Sequence, residues 1–291
     1  MSTPLLSIVI PTYNYSQYLP TCLDSILTQD FTDFELILIN DASTDSTASV
    51  LQDYAKHDSR IRVITHTVNQ GIFASNNEGL TLARGAYLYF FSSDDWLLPG
   101  FLNDAISLLE AHPSIPFACC DLIYFEEESQ NSIETPLLPH AVDPLCLSPK
   151  QVVQHIQNDR FWVPGLCCIM RRSAFQKYGM PDDNLQNISD WFFFHRIALA
   201  EGVGYLPRFG ITMRKHHQTY TSAIKRNHKR QKAVYLALLR YLAQKENRKT
   251  LQLFSKTSLL YPMVKAHRFW ALAKPCLWPL LANKPQKQLK S

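Results

Sequence analysis

Two adjacent carboxylates, Asp94 and Asp95, stand out in this sequence as residues that could do chemistry. They follow an aromatic apolar run in the stretch YLYFFSSDDWLLP, so two like charges lie at the end of a segment expected to be buried. Such a pair is costly to bury unless a cation lies beside it. Mg²⁺ and Mn²⁺ bind one or two protein carboxylates and complete their coordination with phosphate oxygens, so the pair predicts a divalent metal site for a phosphorylated ligand. Alternatively, one Asp is the N-cap of a helix that begins near Leu98 or Pro99.

The elements that must position this pair are predicted from the pattern of apolar residues. Four apolar runs predict strands over residues 6–10, 34–40, 61–66 and 86–92, and segments with helical spacing lie between them, the third with Gly85 as its expected C-cap. This alternation predicts a parallel sheet covered by helices on both faces. Ligands of such sheets bind at the carboxyl ends of the strands, where this sequence has the polar segments PTYN, NDASTDS, NQG and SSDDW. We therefore expect these four segments to meet in one crevice.

The segments SIVIPTYNYSQYLPTCLDSILTQDFTDFELILINDASTDST and NQGIFASNNEGLTLARGAYLYFFSSDDWLLPG, in this order and spacing, resemble family 2 glycosyltransferases. The resemblance extends from about Leu6 to Ser222. It implies an α/β fold of the GT-A type, in which a mainly parallel nucleotide-binding sheet is flanked by helices. It also implies inverting transfer of a sugar from a nucleotide sugar, with UDP as the favoured nucleotide and Mn²⁺ or Mg²⁺ as the cofactor. The acceptor would be a hydroxyl of a saccharide or a lipid-linked molecule, in cell-surface polysaccharide or lipopolysaccharide synthesis.

The resemblance assigns roles to residues of the four polar segments. Pro11, Thr12 and Tyr13 would line the nucleobase and ribose pocket, while Asp41 would hydrogen-bond the base and Gly71 would let the backbone approach the donor. The implied donor-binding residues are Pro11, Thr12, Tyr13, Asp41, Gly71, Asn77, Ser93 and Asp94, and the implied metal ligands are Asp94, Asp95, His216 and His217. Which Asp of the pair binds the metal stays open, and a surface pair in a loop is the alternative for the two His.

The sequence departs from the family pattern at two positions. Where the family commonly has the first Asp of its metal motif, this chain has Ser92, which brings a hydroxyl but no charge. Where the family often has Arg, this chain has Asn76, which removes a contact that the diphosphate could use. We therefore expect weaker metal binding than a full acidic motif would give.

A further acidic residue, Asp190, lies in the segment SDWFFFHRIAL, where the resemblance places an acid before an aromatic residue. Trp191, Phe194 and Ile197 follow at helical spacing, so a helix is expected to begin near Asp190. Glycosyl transfer needs a carboxylate that takes the proton of the acceptor hydroxyl, and we assign this role of general base to Asp190. One base and one metal suit a single inverting displacement, whereas a retaining reaction would need a nucleophilic carboxylate. The alternative is that Asp190 only caps the helix.

Charge divides the chain near Lys225. Residues 1–224 carry 13 Lys and Arg against 24 Asp and Glu, whereas residues 225–291 carry 16 Lys and Arg and one acid. We therefore predict a catalytic domain at 1–224 and a basic helical C-terminal extension at 225–291. Within the catalytic domain, residues 1–100 would form the nucleotide-sugar-binding half and residues 101–224 the acceptor half.

The basic extension has two interpretations. Its apolar residues Val234, Leu238, Leu239 and Leu242 share one helical face, and its later part mixes Trp with Lys and Arg. In the first interpretation a solvated helix packs on the catalytic domain, and in the second the extension binds an anionic membrane surface. We do not expect nucleic acid as a partner, because no recognised nucleic-acid motif accompanies the charge.

The cysteine pattern and the apolar runs bear on location. The 7 cysteines have neither a Cys-x-x-Cys spacing nor an even count, which favours buried thiols in a reducing compartment over disulfides or zinc. The N-terminal run lacks a signal peptide's basic region, and no uncharged run reaches the ~18 residues of a spanning helix. We therefore expect a cytoplasmic protein, or one bound peripherally at the inner face of the cytoplasmic membrane.

Of two other candidate functions, only the first fits the pattern. The serine at position 92 allows a nucleotide-sugar-binding module with weak or no catalysis. A nucleotidyltransferase would need a glycine-rich basic loop near the N-terminus, and PTYNYSQYLP is not one. Because neither GxxxxGK[ST] nor GxGxxG occurs, a bound metal would have to carry the charge of the diphosphate.

Overall fold

A computed structural model of the chain describes residues 3–158, 161–216, 224, 227–257 and 259–260. These residues form two compact units that alternate along the chain. The first unit comprises Met1–Leu145, Pro164–Met180 and Gly204–Lys215. The second comprises Cys146–Val163, Pro181–Val203 and the described residues from His216 onward. The domain limit expected from charge, at residue 224, and the expected division of the catalytic domain at residue 100 stay predictions.

Strands and helices alternate through the first part of the chain. The strands are β1 (Leu6–Thr12), β2 (Phe34–Asn40), β3 (Ile61–Thr65), β4 (Tyr87–Phe90), β5 (Trp96–Leu97), β6 (Phe117–Glu126), β7 (Asn131–Thr135), β8 (Leu145–Leu147), β9 (Cys168–Arg171) and β10 (Val203–Lys215). The α-helices are α1 (Leu19–Leu27), α2 (Thr47–His57), α3 (Ile72–Leu82), α4 (Phe101–Ala111), α5 (Pro149–Asn158), α6 (Arg172–Tyr178), α7 (Ser189–Glu201), α8 (His228–Ala243) and α9 (Arg248–Ser255). Short 3-10 helices cover Gly165–Cys167, Asp183–Ile188 and Lys245–Asn247.

The first unit is built on a sheet with the strand order β3-β2-β1-β4-β9-β6-β10-β5, and β7 pairs with β6. Strands β3, β2, β1 and β4 are parallel to one another, whereas β9 is antiparallel to both β4 and β6. The four strands predicted from the apolar runs are therefore four adjacent parallel strands. Because their carboxyl ends lie at one edge of the sheet, the polar segments that follow them also lie at that edge.

Burial explains why these apolar runs form central strands. Every residue of β2 is buried, as is every residue of β1 except Pro11, which is half-buried, and a parallel sheet covered on both faces needs such continuous apolar strands. Helix α1 buries the predicted face, including Cys22 and Leu23. Helix α3 packs closely on β1, because a Cβ atom at Gly79 would lie 2.2 Å from Cγ1 of Val9.

Three local expectations were wrong. Strand β1 continues through Pro11 to Thr12 instead of ending at the proline. Helix α3 ends at Leu82, and Gly85 is not its cap but lies against β1, where a Cβ would come within 2.6 Å of the Ser7 nitrogen. Helix α4 has Gly100 as its N-cap, with β5 between the helix and the carboxylate pair, so neither Asp of the pair caps a helix there.

The second unit is helical. Residues of α7 are buried on almost every side, and the predicted apolar face of α8 is buried as well. Helix α8 packs against the 3-10 helix Asp183–Ile188, and α9 packs against α7, where Phe254 stacks on Phe192 with 5.1 Å between ring centroids. The described part of the basic extension therefore packs by its apolar face within this unit. None of the described helices is both long enough and apolar enough to cross a membrane.

Candidate functional site

Hydrogen bonds join the polar segments that follow β1 and β2. Asn14, in the left-handed region at φ 56°, accepts a hydrogen bond from the backbone N–H of Thr44 at 2.8 Å. The carboxylate of Asp45 accepts from the N–H of Ser16 at 3.2 Å. The left-handed backbone at Asn14 suits Asn, which visits that region more readily than most residues. These bonds fix the two segments against each other, as a shared ligand site requires.

Asp41 connects the segments that follow β2 and β3. Its Oδ1 accepts hydrogen bonds from the N–H of Gln70 at 2.8 Å and from Nδ1 of His66 at 2.7 Å, and its Oδ2 accepts from the N–H of Gly71 at 2.8 Å. Burial raises the pKa of Asp41, but the bonds from Gln70, His66 and Gly71 outweigh it and hold the pKa below its usual value. Asp41 is therefore ionised and held rigidly at this edge of the sheet.

Two buried polar atoms near the same edge have no hydrogen-bond partner within the described part of the chain. They are Oγ1 of Thr12, at the end of β1, and Oδ1 of Asn76, in α3. A buried polar group without a partner costs free energy, and a ligand is one of the partners that can satisfy it. For Thr12 this observation agrees with the predicted place in the donor pocket.

The other donor-binding residues differ in exposure. Tyr13 is 46% exposed, Pro11 is half-buried and Ser93 is buried. Gly71 has a φ of 87°, which favours glycine, and a Cβ added there would meet no atom within 4 Å, so the space beside it is open. Asn77 is exposed on α3, and Asn76 rather than Asn77 has the unsatisfied buried oxygen. The roles given to these residues stay predictions.

Asp94 and Asp95 are both buried at the carboxyl end of the sheet. Burial, followed by the charge of Asp94, raises the pKa of Asp95 well above its usual range. The N–H of Arg214, which lies 2.7 Å from Oδ1 of Asp95, and the side chain of Ser92 hydrogen-bond to Asp95 and offset this only in part. The serine that replaces the family's Asp therefore orients the neighbouring carboxylate.

The positive charge beside the pair belongs to Arg214, which the sequence analysis did not single out. Its Nε donates to the carbonyl of Asp94 at 3.1 Å, and its Nη1 lies 3.4 Å from Oε1 of Glu127. The guanidinium also lies over three aromatic rings, with centroids 4.8 Å, 5.0 Å and 5.5 Å away, those of Tyr18, Trp96 and Phe125. Because cation–π contacts and hydrogen bonds hold the guanidinium, Arg214 is a fixed counter-charge to the acidic turn.

Tyr15 is a second residue of this site that the sequence analysis did not single out. Burial, and then the charge of Asp94, raises the pKa of its hydroxyl, so the phenol lies in the field of the carboxylate pair. Its ring packs edge-on against Tyr18 with 5.5 Å between centroids. The segment after β1 therefore reaches the segment after β4. The aromatic spacing in TYNYSQY was the only available signal.

The residues present fit a divalent cation that is shared with a phosphorylated ligand. Within the described ranges no group of three or more His, Cys, Asp and Glu side chains could hold a metal ion by itself. A buried carboxylate pair in which each charge disfavours the other is the donor set that Mg²⁺ takes when phosphate oxygens complete its shell. His216 belongs to the second unit and is half-buried, and His217 lies outside the described residues.

Asp190 belongs to the second unit, in the first turn of α7. The N-cap of this helix is Ile188, so the capping alternative for Asp190 is wrong, although an acid in the first turn still favours the helix dipole. Partial desolvation by the surrounding protein raises the pKa of Asp190, and a hydrogen bond from the backbone N–H of Trp191 offsets this rise in part. The residue itself is exposed to water.

A buried histidine anchors the helix that carries Asp190. Nε2 of His195 accepts a hydrogen bond from the N–H of Val163 at 3.1 Å, while Nδ1 donates to the carbonyl of Trp191 at 2.7 Å. Burial lowers the pKa of His195 to about 4, and the contact with Trp191 offsets this only in part. His195 is therefore neutral in the folded protein and ties the segment before Pro164 to α7.

We expect this neutral histidine to make folding sensitive to acid. An unfolded His takes up a proton near pH ~6.5, whereas folded His195 does so only near pH 4, so acid favours the unfolded state between these values. This effect should lower the free energy of unfolding by about 2 kcal/mol between pH 7 and pH 5. Urea unfolding at both pH values should show that His195→Gln loses about 2 kcal/mol less than the wild type. The contributions of the other titrating groups are the same in the two proteins and cancel in this difference. Equal losses in the two proteins would contradict the assignment.

Comparisons with known proteins agree with this architecture. The family model described as Glycosyl transferase family 2 matches residues 7–179, more than half of the chain. The chain is 44% identical over 94 residues to EpsJ, an uncharacterized glycosyltransferase of Bacillus subtilis strain 168, and 39% identical over 118 residues to chondroitin synthase of Escherichia coli. These matches cover 32% and 40% of this chain but only 27% and 16% of the two relatives.

Two solved structures share the fold. TarS 1–349 of S. aureus in complex with UDP-GlcNAc aligns with a TM-score of 0.67 at 17% identity, over 93% of this chain and 76% of that one. The mannosyltransferase PcManGT of Pyrobaculum calidifontis, in complex with GDP-Man and Mn²⁺, aligns with a TM-score of 0.56 at 17% identity, over 97% of this chain and 79% of that one. The predicted GT-A-type α/β fold is thereby confirmed. With the family model matched across the segments that contain Asp41, Asp94 and Asp95, the chain belongs to glycosyl transferase family 2.

Proposed function

We propose that this chain transfers a sugar from a UDP-sugar to a hydroxyl of a saccharide or lipid-linked acceptor, with inversion at the anomeric carbon. The observation that carries the proposal is the position of Asp41 and of the Asp94–Asp95 pair at one edge of the parallel sheet, where they follow strands β2 and β4. A rigid, ionised carboxylate at one place and a buried carboxylate pair at another suit the base and the diphosphate ends of one nucleotide sugar.

The nucleotide is assigned from the hydrogen-bonding groups that lie at the carboxyl ends of β1 and β2. Asp41 would accept the imino N–H of uracil, and the unsatisfied hydroxyl of Thr12 would find a partner on the base or ribose. Exposed Tyr13 would cover the apolar face of the base. The complexes of TarS with UDP and with UDP-GlcNAc support this choice, and the sugar itself, a hexose or an N-acetylhexosamine, stays open.

The diphosphate end is assigned to the carboxylate pair. Asp94 and Asp95 would hold Mn²⁺ or Mg²⁺, which when bound would stabilise the charge that develops on the leaving diphosphate. Arg214 would keep the turn in place through its bonds to the Asp94 carbonyl and the Asp95 carboxylate. The complex of PcManGT with GDP-Man and Mn²⁺ supports a metal at this kind of site.

Asp190 would act as the general base. As the acceptor oxygen attacks the anomeric carbon, its proton passes to the carboxylate, the bond to the diphosphate breaks, and UDP leaves with the electron pair. A single displacement of this kind inverts the configuration. The raised pKa of Asp190 suits a group that must take up a proton, because a more basic carboxylate is a better base.

The acceptor would be an intermediate in the synthesis of a cell-surface polysaccharide or lipopolysaccharide, and the transfer would take place on the cytoplasmic side of the membrane. The name of the relative chondroitin synthase supports a saccharide acceptor. Basic residues such as Lys229, Lys232 and Arg240 are exposed on α8, on the sides that its buried apolar face leaves free, and would favour the anionic inner face of the cytoplasmic membrane. A lipid-linked acceptor would be met at that surface.

Release of nucleoside diphosphate tests the proposed function. The purified chain is incubated with a panel of UDP- and GDP-sugars and Mn²⁺, with a saccharide acceptor or without one, and the diphosphate is measured. We expect release from at least one UDP-sugar, lost on addition of a chelator and restored by Mn²⁺. If no sugar nucleotide is consumed but UDP still binds, the chain is a binding module, the second candidate that Ser92 favours.

A further inference from the structure

The imidazole of His66 lies between two carboxylates at the edge of the nucleotide-binding sheet. Its Nδ1 is 2.7 Å from Oδ1 of Asp41, and its Nε2 is 2.6 Å from Oε2 of Glu78. Each ring nitrogen therefore faces an acceptor, so both nitrogens carry a proton and the ring is a cation. His66 is itself buried, which makes each of these charge-assisted bonds hard to replace by water.

This arrangement limits what Asp41 can offer a ligand. A carboxylate has about four acceptor positions, two on each oxygen. On Asp41, Oδ1 is filled by the N–H of Gln70 and by His66, while Oδ2 accepts the N–H of Gly71. Within the described part of the chain this leaves one acceptor position, on Oδ2.

We propose that His66 is a specificity-determining residue, which occupies one oxygen of Asp41 and so leaves the nucleobase a single acceptor. The inference rests on the proposed function, in which Asp41 meets the base of the donor. Uracil presents one imino N–H on that edge, whereas guanine presents an imino N–H and an amino N–H side by side. A carboxylate with an open position on each oxygen would bind guanine in a bidentate manner, and one with a single open position cannot.

Glu78 gives His66 its orientation. It lies on α3, about two turns beyond the Gly71 end of the helix, and it is the only charged partner of His66 besides Asp41 among the contacts of the described residues. Burial lowers the pKa of His66, but the bonds to Asp41 and Glu78 outweigh burial and raise it above its usual value. The ring therefore stays charged, and turned with Nδ1 to Asp41, at neutral pH.

Two amide substitutions separate the contacts of the ring. In His66→Asn the side-chain amide lies near the place of Nδ1 and can still donate to Asp41. In His66→Gln the amide reaches the place of Nε2, so the Glu78 contact is kept and the Asp41 contact is lost. The exposed His57, at the end of α2, provides the matched control as His57→Asn.

The test measures the dissociation constants of UDP and GDP for the full chain by calorimetry. We expect the wild type, His57→Asn and His66→Asn to bind UDP more tightly than GDP. In His66→Gln the ratio of the GDP to the UDP dissociation constant should fall by ~10-fold or more, because this variant loses the charge-assisted bond to Asp41 on which the preference depends. If the role of His66 were purely structural, its loss would weaken the binding of both nucleotides equally and leave the ratio of their dissociation constants unchanged.

The outcomes separate this inference from the proposed function. The inference would be overturned if His66→Gln kept the wild-type ratio of the UDP and GDP dissociation constants, or if only His66→Asn lost the preference for UDP. In either case, binding of UDP by the wild type would leave the proposed function standing. A wild type that binds neither nucleotide, with or without Mn²⁺, would overturn the proposed function and the inference with it.

Discussion

Asp190→Asn should lower the rate of sugar transfer by ~10²–10⁴-fold, the usual contribution of a general base. The amide keeps the size of the carboxylate but cannot take the proton of the acceptor hydroxyl. Since Ile188 is the N-cap of α7, the substitution removes no cap, and thermal stability should change little. Transfer is measured as UDP release at saturating donor, and UDP affinity is measured in parallel.

Asp183→Asn is the matched control, because Asp183 is exposed at the start of the 3-10 helix before α7. It should retain wild-type turnover and stability. In the wild type, turnover should fall as the pH drops below the raised pKa of Asp190, since the protonated acid is no longer a base. Turnover by Asp190→Asn equal to that of the wild type would remove Asp190 from the mechanism.

Asp94→Asn should lower turnover by on the order of 10²-fold or more, because one of the two carboxylates that would hold the divalent ion is lost. Its stability without metal should be equal to or higher than that of the wild type. The reason is that Asp94 raises the pKa of buried Asp95, so removing one charge relieves the repulsion between them. Activity and stability are thus expected to move in opposite directions, as at other strained functional sites.

Thermal unfolding with and without Mn²⁺ and UDP checks this prediction. Ligands that bind only the folded state raise the melting temperature, so the wild type should gain stability from Mn²⁺ with UDP, and Asp94→Asn should gain much less. Asp30→Asn, at an exposed acid beyond the end of α1, is the control and should behave as the wild type. A metal-free Asp94→Asn protein that is clearly less stable than the wild type would show that the carboxylate is structural.

The fixed position of Arg214 gives the acidic turn its rigidity. A metal site works when its ligands are already in place, and here the turn is held by the backbone and the guanidinium of one residue. Tyr18 contributes twice, since its ring lies under the guanidinium and its hydroxyl donates to Glu127 at 3.0 Å. Residues from three distant parts of the chain therefore support one carboxylate pair.

The sequence alone predicted four of the strands, their parallel arrangement and the edge of the sheet at which the polar segments lie. Continuous apolar runs such as FELILIN can only be buried on both faces, and alternation with helices forces parallel strands whose carboxyl ends meet. The positions of Asp41, Asp94 and Asp95 at that edge followed directly. These features depend on local patterns and on chain order, which a sequence displays.

Tertiary structure decided which charges meet. That Asp41 would be bound by His66 and Gly71, or that Arg214 would lie over Tyr18 beside Asp94, depends on segments 25 to 196 residues apart in the chain. No spacing rule encodes such contacts, because side-chain partners arise only when the sheet brings its loops together. The same holds for Ser92, which looked like a lost charge in the sequence and is in the fold a hydrogen-bond partner of Asp95.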